Sequence, residues 1–123
     1  MAAGLVVLLA TAIPAGAAGP PLGDAEAGKA LFNRQCAVCH SPQAGQNKVG
    51  PSLHGVVGRH SASLPGYNYS PAMKQADRVW TPEVLDHYLT DPRASVPGTR
   101  MIYAGLKDPK QRADLIAYLE TLK

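Results

Sequence analysis

The stretch Cys36-Ala37-Val38-Cys39-His40 decides the interpretation of this 123-residue chain. Two cysteines separated by two residues and followed directly by a histidine form the pattern of covalent haem attachment. The two thiols add across the two vinyl groups of one haem, and the adjacent imidazole is then placed to bind the iron as an axial ligand. The motif therefore predicts one haem c, held through Cys36 and Cys39, with His40 as an iron ligand.

Three other uses of the two cysteines fit the chain less well. A thioredoxin-like dithiol expects a strand-rich βαβ context, which this sequence does not show. A zinc site could be drawn by adding His54 to Cys36, Cys39 and His40, but structural zinc sites usually space their second ligand pair like the first. A disulfide between Cys36 and Cys39 would close too small a loop to stabilise much. Haem attachment is favoured over all three.

The composition also favours a cofactor-dependent core. The chain has one Trp, one Phe and five Tyr, but 12 Gly and 11 Pro. Its length suits one domain, yet a sequence so rich in loop-forming residues brings little apolar bulk of its own. A large, planar, buried ligand would supply the missing core, and we expect the protein without it to be poorly folded.

The N-terminus has the pattern of an export signal. Residues 5–10 are apolar, Pro14 ends the run, and Ala15-Gly16-Ala17 supplies small residues before a cleavage site. We expect a signal peptide over residues 1–18, cleaved near Ala17 or Ala18, and a mature domain over 19–123 in the periplasm. No Lys or Arg precedes the apolar run, so retention as an anchor is the alternative, although the segment is shorter than the ~20 apolar residues of a membrane span.

Charge patterning gives no indication of nucleic-acid binding. No charged residue precedes Asp24, so the whole formal charge of +3 belongs to the mature domain. Lys and Arg are scattered singly and do not cluster on one predicted helix. Most of these charges are expected on a solvated surface.

The rest of the chain predicts helices separated by long irregular segments. Asp24 can cap a first helix that turns Ala27, Leu31 and Phe32 toward a core and ends at Cys36. Residues 41–64 are rich in Gly and Pro and predict a loop, and residues 71–75 a short helical turn. Each of the next two helices is marked by a capping residue followed by Pro. The first of these helices is expected to begin at Thr81-Pro82 and to carry the apolar residues Val84, Leu85, Tyr88 and Leu89. The second is expected to begin at Asp108-Pro109 and to carry Leu115, Tyr118, Leu119 and Leu122. This last helix should pack on the first helix of the chain.

The second iron ligand needs a side chain with a suitable lone pair. The candidates are Met73, Met101, His54, His60 and His87. Met101 is preferred because Pro97-Gly98-Thr99-Arg100 precedes it, and such a short irregular segment can hold a thioether over a flat ligand without an intervening helix.

Beyond the motif, the sequence closely resembles the small soluble cytochromes c of the mitochondrial-like class, which includes bacterial photosynthetic and respiratory carriers. The resemblance runs from about Gly23 to Leu122. Its landmarks are Gly28, Phe32, residues 50–55, Gly58-Arg59, residues 65–69, Trp80, residues 97–101 and residues 114–119.

The resemblance implies a class I cytochrome c fold, all-α, with three main helices and long loops wrapped around one covalent haem. It implies His40 and Met101 as axial ligands and one-electron transfer as the activity, without substrate turnover. A soluble periplasmic monomer would shuttle electrons between quinol:cytochrome c oxidoreductase and an oxidase or a photosynthetic reaction centre. Two alternatives are a haem enzyme or gas-binding protein with an open sixth position, and a small subunit held permanently by an oxidoreductase.

Further roles come from the resemblance alone. The carbonyl of Pro51 is expected to accept a hydrogen bond from His40, and Tyr88 resembles the tyrosine whose hydroxyl approaches the ligand sulfur. Family members surround a buried haem propionate with hydrogen-bond donors. The residues of this chain that resemble those donors are Arg59, Tyr69, Trp80 and Thr99.

The sequence departs from this pattern in two ways. Met73 stands where the family usually has an asparagine that helps hold an internal water. The basic surface by which family members dock is matched by Lys48, Arg93, Arg100 and Lys107, whereas relatives often have lysine at the positions of Ala30, Gln35, Ala94 and Asp108. Docking is therefore expected to be electrostatic, with a modest salt dependence.

Overall fold

The computed structural model describes Met1, residues 3–4 and residues 22–123. The expected signal peptide therefore lies almost entirely outside the described residues. Five helices lie within them: α1 (Ala25–Gln35), α2 (Pro71–Ala76), α3 (Pro82–Thr90), α4 (Pro92–Ser95) and α5 (Pro109–Glu120). Apart from one isolated antiparallel bridge between His60 and Val79, residues 22–123 contain no strand pairing. The predicted all-α fold with three main helices is confirmed.

Local sequence explains where these helices begin. The Asp24 carboxylate accepts hydrogen bonds from the backbone of Glu26 and Ala27 at 3.0 and 3.3 Å, as an N-cap does. In α2 to α5, a Ser, Thr or Asp cap is followed by Pro in the first turn, where the missing N–H is not needed. Helix α4 was not predicted, although Asp91-Pro92 repeats the start pattern of α5.

Helix α1 packs across α5, as the sequence predicted. The rings of Phe32 and Tyr118 lie 5.3 Å apart between their centroids. Gly28 is buried where the backbones meet, and a Cβ there would be only 2.9 Å from the Cβ of Tyr118 and would also collide with the carbonyl of Asp114. The expectation that Ala27 faces the core was wrong, because Ala27 is exposed and Gly28 occupies the contact.

Polar bonds hold the main helices together at their ends. The Asp114 carboxylate accepts the Asp24 N–H at 2.8 Å and pairs with Lys110. The buried Arg112 side chain pairs with Asp86 at 2.8 Å and donates to the carbonyls of Leu106 and Lys107. These contacts join α5 to α1, to α3 and to the segment before α5.

The apolar faces of the helices end at one large cavity. Leu85 on α3 and Leu115 and Leu119 on α5 are at most 5% exposed, and all three line it. The other walls come from the end of α1, from residues 49–70 together with Met73 on α2, and from the loop of residues 99–103. No helix within the described residues has the length and apolarity needed to cross a membrane.

Candidate functional site

The nine predicted site residues all line the same cavity, whose volume is about 400 Å³. Helix α1 ends at Gln35 and delivers the attachment motif, while α3 and the loops supply the remaining side chains. The nine residues are Cys36, Cys39, His40, Arg59, Tyr69, Trp80, Tyr88, Thr99 and Met101.

The His40 ring is held by the loop that follows the motif. Its Nδ1 donates to the carbonyl of Pro51 at 2.7 Å, as expected. A carbonyl can only accept, so the ring is protonated on Nδ1 and keeps the lone pair of Nε2. Burial lowers the pKa of His40, against the opposing effect of the Pro51 contact, and nearby Arg59 and Lys48 lower it further. The neutral imidazole is the form that binds metals.

Gly50 makes the close approach of this loop possible. It is buried, and its N–H donates to the carbonyl of Cys39 at 2.8 Å. A Cβ at Gly50 would lie 2.7 Å from Nδ1 of His40. The ring therefore occupies the space that a side chain would take.

The two cysteines lack the environment of a redox-active dithiol. Burial raises the pKa of the Cys36 thiol to about 11, and the neighbouring Cys39 adds to this effect. Reactive dithiols need a lowered thiol pKa. Within residues 22–123, no three His, Cys, Asp or Glu side chains form a metal-binding cluster, so the zinc alternative gains no support.

Arg59 supplies an unsatisfied positive group at the cavity wall. One of its terminal nitrogens donates to the carbonyl of Ser52 at 2.9 Å, while Nη1 is buried without a partner. Burial lowers the pKa of Arg59, and adjacent Tyr69 opposes this shift. A buried, unpaired guanidinium nitrogen requires an acceptor, and a haem propionate is an acceptor of the right charge. The residues present therefore fit a haem.

Two aromatic side chains and a threonine complete the predicted set. Trp80 and Tyr88 are buried, with ring centroids 4.9 Å apart. Burial raises the pKa of Tyr88, while Thr99 and Arg78 act against the shift. The Thr99 hydroxyl accepts the Met101 N–H at 3.3 Å, which ties it to the backbone of the proposed ligand.

The structure reduces the candidates for the second iron ligand. Both Met73 and Met101 line the cavity, whereas His54 and His87 do not. His60 lines it too, but its ring contacts the carbonyl of Ser61 and the carboxylate of Asp77, each at 2.8 Å. These two contacts raise the pKa of His60 and occupy both ring nitrogens. The two methionines remain.

Two of the four predicted docking residues lie at the attachment motif or the cavity, and the other two lie elsewhere on the chain. Lys48 donates to the carbonyl of Ala37 inside the attachment motif at 2.5 Å, and Arg100 lines the cavity. Lys107 donates to the carbonyl of Thr90 at 2.7 Å, and Arg93 is exposed on α4.

Gln35 and Tyr103 are among the cavity residues that sequence reasoning did not assign to the site. They lie next to predicted residues in the sequence, but only the tertiary structure brings their side chains together, at 2.6 Å.

Comparison with known proteins identifies the family. The family model described as cytochrome c matches residues 25–123. The chain belongs to the cytochrome c family. It is 58% identical over 103 residues to cytochrome c2 of Rhodopila globiformis, which covers 84% of this chain and 97% of that protein. It is also 48% identical over 118 residues to cytochrome c2 of Blastochloris viridis, covering 95% and 88%, respectively.

A eukaryotic relative is also similar. Cytochrome c of Euglena viridis is 52% identical over 101 residues, covering 82% of this chain and 99% of that protein. As a cytochrome c, the protein binds covalent haem c and carries electrons, without substrate turnover of its own.

Proposed function

We propose that the protein is a soluble periplasmic monomer that shuttles single electrons between membrane redox complexes, with His40 and Met101 as the residues that would bind its iron. The convergence of all nine predicted residues on one cavity is the observation that carries this proposal. Bound haem c supplies an iron that gains and loses one electron.

The chain's own groups fix the cofactor and tune it. Cys36 and Cys39 tether the haem, and the Pro51 carbonyl orients the His40 ring and raises its basicity through a 2.7 Å hydrogen bond. Met101 would supply a soft sulfur ligand, which would favour the reduced state. Met101 is preferred to Met73 because it lies on an irregular segment whose sequence resembles the ligand loop of the family.

The remaining cavity residues are proposed to bind the haem propionates and to surround the haem with apolar side chains. Nη1 of Arg59 would meet a propionate, with Tyr69, Trp80 and Thr99 as further donors. Apolar walls that include Leu85 and Leu115 would keep water away from a bound haem, so little reorganisation would accompany the change in charge.

Electrons would enter and leave where the cavity meets solvent. Val49 and Ile102 both line it and are 77% and 89% exposed. Lys48 directly precedes Val49 in the sequence, and Arg100 lies two positions before Ile102. Together with Arg93 and Lys107, these cations would attract acidic partner surfaces. The partners proposed are quinol:cytochrome c oxidoreductase and an oxidase or a photosynthetic reaction centre.

Location can be tested directly. Residues 1–18 are proposed to direct export and to be removed near Ala17 or Ala18. Mass spectrometry of the haem protein recovered from a periplasmic extract should give a chain beginning near Gly19. Recovery of the full-length chain in the membrane fraction would instead support the anchor.

A redox titration followed by visible and near-infrared spectroscopy tests the ligation. We expect a low-spin spectrum, a sulfur-to-iron band in the ferric protein and a clearly positive potential. A high-spin or low-potential spectrum would exclude Met101 as the ligand.

A further inference from the structure

The segment that carries Met101 has few backbone ties of its own. It is anchored before the ligand by Thr99, whose N–H donates to the carbonyl of Val96 at 3.0 Å. It is anchored after the ligand by Leu106, whose N–H donates to the carbonyl of Leu89 at 2.8 Å. Between these anchors, residues 102–104 form no backbone–backbone hydrogen bond within the described chain. Their position therefore depends on side chains.

One side-chain bond connects this span to the opposite wall. The Tyr103 hydroxyl donates to Oε1 of Gln35 at 2.6 Å, across 68 positions of sequence. Gln35 is the last residue of α1 and directly precedes Cys36. Both side chains line the cavity, so the bond joins the attachment side to the Met101 side at the cavity edge.

The chemistry of the two groups favours this hydrogen bond, although Gln35 is exposed to solvent. Tyrosine has few rotatable bonds, so holding its ring in place costs little conformational entropy. A tyrosine hydroxyl has an ordinary pKa of about 10 and therefore keeps its proton at neutral pH. Gln35 is uncharged, and its acceptor is therefore present at every pH of interest.

We propose that Tyr103 is a positioning residue whose hydrogen bond to Gln35 holds residues 101–104 over the cavity and thereby resists replacement of the Met101 sulfur by other iron ligands. This inference rests on the proposed ligation by Met101. The two can fail separately, because the unaltered ferric protein must show the sulfur-to-iron band before any variant is compared.

The test uses the ferric holoprotein and imidazole as a competing ligand. Tyr103→Phe removes only the hydroxyl and should raise the affinity for imidazole about two- to tenfold, the factor expected for one hydrogen bond of ordinary net strength. Gln35→Leu should have the same effect, and the double variant should add little to either single change. Gln35→Glu keeps an acceptor and should stay close to the unaltered protein.

A matched control distinguishes the loss of this particular hydrogen bond from the loss of any tyrosine hydroxyl. Tyr67 donates to the carbonyl of Val49 at 2.7 Å, on a segment that does not carry Met101. Tyr67→Phe should change imidazole affinity less than twofold. Hydrogen exchange in the same proteins should become faster at the hydrogen-bonded N–H groups of Met101 and Leu106, which flank the span, only when Tyr103 or Gln35 is altered.

The outcomes decide between positioning and general stability. If Tyr103→Phe lowered the free energy of unfolding but left imidazole affinity and local exchange unchanged, the proposal would be wrong. Additive effects of Tyr103→Phe and Gln35→Leu would also overturn it, because the two groups would then act independently.

Discussion

At the scale of single residues, the site depends on the absence of a side chain at Gly50 as much as on the imidazole of His40. The imidazole lies where a Cβ at position 50 would be, and this leaves the ring free to donate to Pro51. The attachment motif predicts the ligand, but the space it needs comes from a residue 10 positions further along the chain. A small change in that loop should therefore act directly on the iron ligand.

Gly50→Ala tests this dependence. The added methyl should push the ring off the Pro51 carbonyl and destabilise the holoprotein by about 1–3 kcal/mol, the usual cost of overpacking. Denaturant unfolding and the low-spin spectrum measure the two effects. Gly45→Ala is the control, because a Cβ there meets open space, although its φ of 74° strains any other residue. It can lower stability, but an altered spectrum in that variant would contradict our account.

The two cavity methionines provide a second comparison at the same scale. Met101→Ala should lower the reduction potential, abolish the sulfur-to-iron band and open the ferrous iron to carbon monoxide. Met73→Ala should retain the band, because Met73 is proposed to pack without binding iron. Both side chains line the cavity and lose the same atoms, so packing loss alone cannot separate their spectra. The opposite pattern would reassign the ligand to Met73.

At the scale of secondary-structure elements, the sequence predicts where helices begin better than it predicts which residues form the contacts between them. The caps at Asp24, Thr81 and Asp108 are local chemistry, and the helices begin where these residues predict. Helix α4 has the same local pattern and could have been found. Ala27 was placed wrongly because apolar spacing does not reveal that the backbones of α1 and α5 meet closely at Gly28.

Long-range polar bonds could not be predicted from the sequence for a related reason. Arg112 has nothing in its neighbourhood that marks it as buried, yet it links α5 to Asp86. Tyr103 and Gln35 are separated by 68 positions and meet only in the folded chain. The resemblance to cytochromes c carried the assignments of Arg59 and Trp80, which spacing alone would have left as a surface charge and a packing residue.

Asp114 gives the junction of α1 and α5 a defined pH dependence. The Lys110 ammonium and then the Asp24 N–H lower the pKa of Asp114 below its usual range. A carboxylate with a lowered folded-state pKa stabilises the fold above the unfolded pKa of about 3.9, and the contribution is lost as the pH falls through the folded value.

Asp114→Asn should therefore reduce stability at neutral pH, and its difference from the unaltered protein should shrink below about pH 4. Denaturant unfolding across this range measures the effect. Glu120→Gln, at an exposed position on the same helix, should change stability by no more than about 0.5 kcal/mol. A difference at Asp114 that stayed constant down to acid pH would mean that the charge is not responsible.

At the scale of the whole molecule, a formal charge of +3 is small and its placement matters more than its size. Haem propionates reduce it further. Long-range attraction of a partner then depends on a few cations near the cavity, since charges elsewhere are screened beyond a Debye length of about 8 Å at physiological salt. The positions of Ala30, Gln35, Ala94 and Asp108, where relatives often have lysine, limit this attraction.

Arg93 is suited to test how docking depends on charge, because it is exposed and lies outside the cavity lining. Arg93→Glu should lower the association rate constant with a purified quinol:cytochrome c oxidoreductase several-fold at low salt, and the effect should fade as ionic strength rises. Stopped-flow reduction kinetics at several salt concentrations measure both trends. Lys29→Glu makes the same change in net charge at an exposed position of α1 and should have a smaller effect. Equal effects of the two variants would mean that partners respond to net charge alone, and the proposed docking surface would have to be abandoned.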